Sequence, residues 1–249
     1  MMTFKKILFN LTFYPFFVLI TAVMFAVFLP LLLLMRAIVG ERKALHALRG
    51  VIYFYGFIIV RVLAFPFMRI EYKDYEKGKD SGPCVYVCNH RSSSDAFLMV
   101  CLNREVVQVV NNWPFKIPIL GWVARCAGYL SIRTMTFEDF SKKASELLAE
   151  GVSIVAFPEG SRSTHQTMNQ FNGAVFRIAQ AARVPIVPLC VSGNEKIPER
   201  SSYILNPGTV KIRKLPALKW ESFENFTPFK LKNQVREMIQ AEFDKVALP

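Results

Sequence analysis

The sequence predicts an α/β fold, a mixed sheet flanked by helices, with a long apolar helical segment in front of it. Three observations predict this. Residues 7–35 contain no charged side chain, and a run of that length exceeds the roughly 20 residues a helix needs to cross a hydrocarbon core. Farther on, the short apolar runs CVYVC (84–88), VSIVAF (152–157) and VPIVPLCV (184–191) have the length and β-branched content of buried strands. Between them, Phe137, Phe140, Ala144, Leu147 and Leu148 recur at helical spacing, so strands and helices alternate.

The chain has 249 residues, room for one large α/β domain and an extra segment but not for two catalytic domains. Hydrophobic residues reach 52% and mean hydropathy is +0.27, more apolar surface than one soluble core absorbs. The expected division is an N-terminal membrane anchor with interfacial helices over 1–70 and a catalytic domain over 71–249. The apolar run ends in Met35 and Arg36 and then ERKALHALR, without a small-residue cleavage site, so it is expected to be retained as an anchor. Pro15 and Pro30 leave open whether it is one helix or a re-entrant pair.

A second apolar stretch, 51–67, carries Arg61 at its middle. An Arg at mid-bilayer costs at least about 2.5 kcal/mol, so this stretch is expected to lie in the interface or on the domain. Arg36, Arg42, Lys43 and Arg49 after the first run outnumber Lys5 and Lys6 before it, which favours the cytoplasmic face for the domain.

Net charge is +12, which suits anionic partners and above all acidic membrane lipids. The basic residues are scattered, lack interleaved aromatics and form no DNA- or RNA-binding signature, so no nucleic acid is expected as a partner. Five cysteines, Cys84, Cys88, Cys101, Cys126 and Cys190, lie in apolar stretches and read as reduced thiols. Cys84, Cys88 and His90 share parity on one strand, but with no fourth ligand in view no metal site is expected.

In order, strand 84–88 leads into NHRSSSDAFLMVCL, a turn and a helix. A helix follows over 136–150, opened by Thr136 as a cap and closed by Gly151. Then come strand VSIVAF, the polar loop PEGSRST, a helix over 173–183 and strand VPIVPLCV. Residues 210–214 form a further strand candidate. Val235, Met238, Ile239 and Phe243 mark an amphipathic terminal helix.

The chemistry concentrates at strand ends. In Asn89-His90-Arg91-Ser92-Ser93-Ser94-Asp95, a continuous helix would rotate His90 and Asp95 apart by about 140°. A turn instead lets Asp95 return to the imidazole, fix its tautomer and leave the other nitrogen free to take a proton from a hydroxyl. Arg91, beside the base, would disfavour the imidazolium. In Phe157-Pro158-Glu159-Gly160-Ser161-Arg162-Ser163, Arg162 offers a planar fork for a phosphate and Gly160 permits close backbone approach. Glu159 could orient Arg162 or meet acceptor hydroxyls. His165 is a rival base without a carboxylate at comparable spacing, and Ser161 lacks the Gly-x-Ser-x-Gly setting of a nucleophile.

NHRSSSD and FPEGSRS, with GYLSIRT ending at Arg133 and VPIVP around Pro185 and Pro188, stand in an order that resembles the glycerophospholipid acyltransferase family, which includes the 1-acylglycerol-3-phosphate acyltransferases. The resemblance implies a membrane-associated O-acyltransferase. In it His90 deprotonates a lysophospholipid hydroxyl, 1-acyl-sn-glycerol-3-phosphate being the first expectation, and that hydroxyl attacks the thioester of acyl-CoA or an acyl carrier protein. Asp95 would orient His90. Arg133 and Arg162 would hold the acceptor phosphate, with Glu159, Gly160 and Ser161 shaping that pocket. No cofactor is implied beyond the thioester co-substrate. Backbone amides after His90 are the expected oxyanion donors. Acylation of another lysolipid or an amino-acid lipid, thioester or lipid hydrolysis, and lipid binding without turnover are the alternatives.

Overall fold

The computed structural model describes residues 3–78, 82–111, 115–116, 118–163 and 166–247. Its centre is a seven-stranded mixed sheet of β1 (Met68–Asp74), β2 (Val85–Cys88), β3 (Val106–Val110), β4 (Leu130–Ser131), β5 (Ser153–Ala156), β6 (Ile186–Ser192) and β7 (Gly208–Lys214). The order across the sheet is β1-β7-β6-β2-β5-β3-β4. Strands β6, β2, β5, β3 and β4 are mutually parallel, and β7 joins β6 antiparallel. Each of the five parallel strands therefore ends at the same edge, where α/β sheets gather their functional loops.

Every residue of β2, β5 and β6 is buried, because helices cover both faces of a parallel sheet. Alternation sorts the side chains. Val85, Val87, Ile154 and Ala156 face one core, closed by helices α5 (Phe137–Ala149), α6 (Ala174–Ala181) and α7 (Pro228–Ala247) through Phe140, Phe176 and Ile239. Tyr86, Cys88, Val155 and Leu189 face the other, with Leu98 and Met99. Helix α5 begins where Thr136 Oγ1 accepts from Asp139 N (3.1 Å) and stops before Gly151, whose φ is +87°. Both ends are as the sequence requires.

The second core is completed from the N-terminus. Helix α1 (Phe4–Val39) runs unbroken through Pro15 and Pro30, which settles the choice those prolines left open in favour of one helix. Helix α2 (Glu41–Phe57) returns along it and passes into a π-helical stretch, Ile58–Leu63. Phe9 of α1 is 1% exposed, stacks on Phe67 at 4.9 Å and joins Val60 and Ala64 against the sheet. Asn10 grips the chain at Leu205, donating to its carbonyl and accepting from its N–H at 2.8 Å each. The first turns of α1 are thus built into the domain, and the expected division at residue 70 falls inside strand β1.

Helices Phe4–Val39, mean hydropathy 2.9, and Glu41–Leu63, mean hydropathy 1.4, are both long and apolar enough to cross a membrane. The second, however, lies along the domain. Arg49, with its side chain 4% exposed, donates to Ala127 O (3.0 Å) and pairs with Glu105 (3.0 Å), which also meets His46 Nδ1 (2.8 Å). Gly56 approaches Val100 so closely that a Cβ would fall 2.5 Å from its side chain. Of the two placements expected for 51–67, the interface or the domain, the structure shows packing on the domain, and His46 shares Glu105 with Arg49. Arg61 is exposed and donates to Cys101 Sγ at 3.6 Å.

Candidate active site

Strand β2 ends at Cys88, and the next residue pins the chain to its neighbour. Asn89 accepts from Val191 N (2.8 Å) and donates to Val191 O (2.9 Å), so His90 leaves the sheet in a fixed direction. The chain then turns, and the short helix α3 (Asp95–Leu98) brings Asp95 back under the imidazole. His90 Nδ1 and Asp95 Oδ2 lie 2.7 Å apart. Gln108 of β3 holds α3 in place by donating to Ala96 O at 2.9 Å.

Asp95 is fully buried, and both its carboxyl oxygens are hydrogen-bonded. Its Oδ2 accepts from His90 Nδ1, from Arg91 N (2.8 Å) and from Ser92 N (3.0 Å), while Oδ1 accepts from Asn194 Nδ2. A carboxylate held this way orients the ring with the proton on Nδ1. Nε2 makes no hydrogen bond among the described residues, and the side chain is 24% exposed, open to a hydroxyl. Phe157 shields one side of the ring, centroid to centroid 5.0 Å.

The 157–163 turn, at the end of β5, is tied to the same residue. Glu159 Oε1 accepts from His90 N (2.8 Å) and Oε2 from Asn169 N (2.9 Å), while His90 O accepts from Ser163 N (2.8 Å). Both oxygens of Glu159 therefore hold backbone, and the Ser163 side chain hydrogen-bonds the same carboxylate. It shapes the site by clamping two loops together. Burial pushes its carboxyl above the ordinary value, against the pull of the His90 and Asn169 N–H groups. Gly160 turns at φ +68°, with open space where a Cβ would stand, which leaves room for close ligand approach.

Arg162 is half-buried, one residue from the Ser163 that bonds His90, and makes no hydrogen bond or ion pair among the described residues. Ser161 is exposed beside it. Arg133 is exposed just past β4, at the same sheet edge as His90. Three strand spacings separate β4 from β2, about 14 Å at roughly 4.8 Å each. Arg162 thus belongs to the loop that is tied to His90, while Arg133 stands three strands away along the same edge.

Two expectations change. Arg91 does not crowd the base: its guanidinium turns away to Glu195 (3.4 Å), Ser163 Oγ (3.3 Å) and the face of Phe243 (4.8 Å), so its charge is paired elsewhere. The amides after His90 are only partly free for an oxyanion, with Ser93 N and Ala96 N left without an acceptor among the described residues. Those of Arg91, Ser92, Ser94, Asp95, Phe97 and Leu98 already have acceptors within the turn. His165 lies outside the described residues. Cys88 is buried and its thiol is pushed well up by that burial. Asn194, Asn169 and Asn89 support the site and carried no sequence signal, since an Asn beside a strand reads equally as a turn residue.

Comparison with known proteins gives a consistent picture. The acyltransferase family model matches residues 69–192. The chain is 33% identical over 153 residues to the chloroplastic 1-acyl-sn-glycerol-3-phosphate acyltransferase BAT2 of Brassica napus, covering 59% of this chain and 44% of that protein. It is 27% identical over 188 residues to 1-acyl-sn-glycerol-3-phosphate acyltransferase alpha of Homo sapiens, covering 72% and 65%. The chain thus spans less than half the length of the Brassica napus relative and about two thirds of the human one. In fold it resembles the crystal structure of the 1-acyl-sn-glycerophosphate acyltransferase PlsC from Thermotoga maritima, with TM-score 0.74 at 20% identity over 100% of this chain and 99% of that one. The matched stretch runs from β1 to the end of β6 and contains His90, Asp95 and the 157–163 turn in their expected order, so the chain belongs to the glycerophospholipid acyltransferase family.

Proposed function

We propose that the chain transfers a fatty acyl group from the thioester of acyl-CoA or an acyl carrier protein to the hydroxyl of 1-acyl-sn-glycerol-3-phosphate, giving phosphatidate at a membrane surface. The observation that carries this is the buried Asp95 holding His90 Nδ1 at 2.7 Å while Nε2 stays open at the sheet edge. Nε2 takes the proton of the acceptor hydroxyl as its oxygen attacks the thioester carbonyl. The tetrahedral intermediate then collapses, the C–S bond breaks, and the thiolate recovers the proton from the imidazolium. The protein contributes no nucleophile of its own.

Arg162, half-buried on the loop tied to His90 and without a protein partner among the described residues, suits the acceptor phosphate, with Gly160 and Ser161 lining the approach and Arg133 meeting the ligand from the far side. The membrane location is supported by α1, an apolar helix of 36 residues whose most hydrophobic window has no buried residue, and the basic surface suits an anionic leaflet. The test is to incubate purified full-length chain with lysophosphatidate and a defined acyl-CoA or acyl carrier protein, and to weigh the lipid product. Phosphatidate should form, and His90→Ala should lower its rate by about 10²–10⁴-fold with the chain still folded. Free fatty acid without acylated lipid would identify a hydrolase instead, and undiminished turnover by His90→Ala would end the proposed mechanism.

A further inference from the structure

We infer that Asn194 is a positioning residue for the reaction, setting the basicity of His90 through Asp95. The inference rests on the reading of His90 and Asp95 as the catalytic pair. Asn194 lies just past β6, fully buried, and its Nδ2 donates to Asp95 Oδ1, the carboxylate oxygen that does not face His90. Its own Oδ1 is buried and has no hydrogen-bond partner among the described residues. The reverse amide orientation would set an oxygen against the carboxylate, so the contact with Asp95 is what fixes the side chain.

The backbone delivers this amide for a stated reason. Gly193 turns at φ +84°, and a Cβ there would fall 2.2 Å from Thr209 O of β7. The chain leaves β6 against its neighbouring strand and enters a loop that touches the catalytic turn at several points. Asn194 meets Asp95, Glu195 pairs with Arg91 (3.4 Å), and Ile197 O accepts from Ser92 Oγ (3.0 Å). Two of these contacts hold the turn's geometry, whereas Asn194 alone reaches the carboxylate that polarises the imidazole.

Each hydrogen bond to a carboxylate stabilises its charge and weakens its pull on a neighbouring proton. With the amide in place, Asp95 holds the ring while its pull on the imidazole proton is tempered. Other ionisable groups face the pair from the packed elements: Glu159 against His90 N, Cys88 at the end of β2, and Arg91 with its charge paired to Glu195. None of them touches Asp95 Oδ1.

The test measures kcat/KM against pH for the full-length chain and for Asn194→Ala and Asn194→Asp, with His90→Ala alongside. Removing the donor strengthens the grip of Asp95 on the imidazolium. The acid limb of Asn194→Ala should therefore move to higher pH by about half to one unit, a roughly 3–10-fold loss on that side with KM for lysophosphatidate unchanged. Asn194→Asp keeps the shape. Two buried carboxyls share one proton, and once that proton is lost the second charge holds the imidazolium more firmly still, so the acid limb of this variant should move to higher pH by more than that of Asn194→Ala. A purely structural role would depress the rates without moving either limb. Wild-type limbs in both variants, with His90→Ala inactive, overturn the inference, whereas an active His90→Ala removes the reading beneath it.

Discussion

Glu159 and Arg162 sit three residues apart, yet their environments assign them opposite duties. The Glu159 carboxyl is buried between two loops and raised above its ordinary value by that burial. A raised carboxyl stabilises the fold where it is protonated in the native state and ionised in the unfolded one, so its contribution is present at low pH and lost as pH rises through the native value. Glu159→Gln removes that dependence. The stability of the wild type relative to Glu159→Gln should therefore fall as pH rises from the ordinary carboxyl range upward, measured by urea unfolding in detergent at a series of pH values. Arg162, without a protein partner among the described residues, has nothing structural to lose. Arg162→Ala should raise KM for lysophosphatidate by about 10–100-fold, the equivalent of a charge-assisted contact of about 1.5–3 kcal/mol, with melting temperature unchanged and partial rescue by Lys. His90 and Asp95 were legible because five residues and one turn contain the whole interaction. The duty of Glu159 was not, since its backbone partners are one N–H in another loop and one ten residues on in its own, and backbone donors look alike in any sequence.

Elements were legible in proportion to how much of their pattern lies within themselves. The helix expected over 136–150 is found at Phe137–Ala149 with its Thr136 cap, and the strand expected over 152–157 at Ser153–Ala156. Strand β1, by contrast, reads MRIEYKD, with charges at alternate positions, because it is an edge strand whose outward residues meet solvent. Strand β4 has two residues, too few for any periodicity, and β3 carries Gln108 in its middle because that side chain is needed to hold α3. The junction of β6 with its following loop offers a direct check. At Gly193 both the left-handed backbone and the 2.2 Å approach to Thr209 O exclude a side chain. Gly193→Ala should destabilise the fold by more than the roughly 1–3 kcal/mol of backbone strain alone, seen as a lowered urea midpoint, and should lower activity as well because the loop carrying Asn194 shifts with it.

Taken as one body, the molecule is asymmetric about its sheet: one face is closed by α5, α6 and α7, and the other by α3, the π-helical stretch after α2 and the first turns of α1. Since α2 is bound along its length to the domain through Arg49, Tyr53 and Gly56, the continuous uncovered apolar surface belongs to α1. Leu19, Val23, Leu31 and Leu34 are each more than half exposed there. Two forces could hold such a molecule to a bilayer, and their sizes differ. The net charge of +12 supplies about 1 kcal/mol for each Lys or Arg that nears an anionic leaflet, but at 1 M salt the screening length shrinks to about 3 Å and most of that attraction vanishes. Burying one large aliphatic side chain contributes about 1.5–3 kcal/mol and does not weaken with salt, so four such residues already outweigh the screened charges. The full-length chain should therefore remain with phosphatidylcholine vesicles through a 1 M salt wash in a flotation assay, and added anionic lipid should change the extent of binding by little at that ionic strength. Release by salt from neutral and anionic vesicles alike would show that the basic surface does the anchoring and that α1 packs against protein instead.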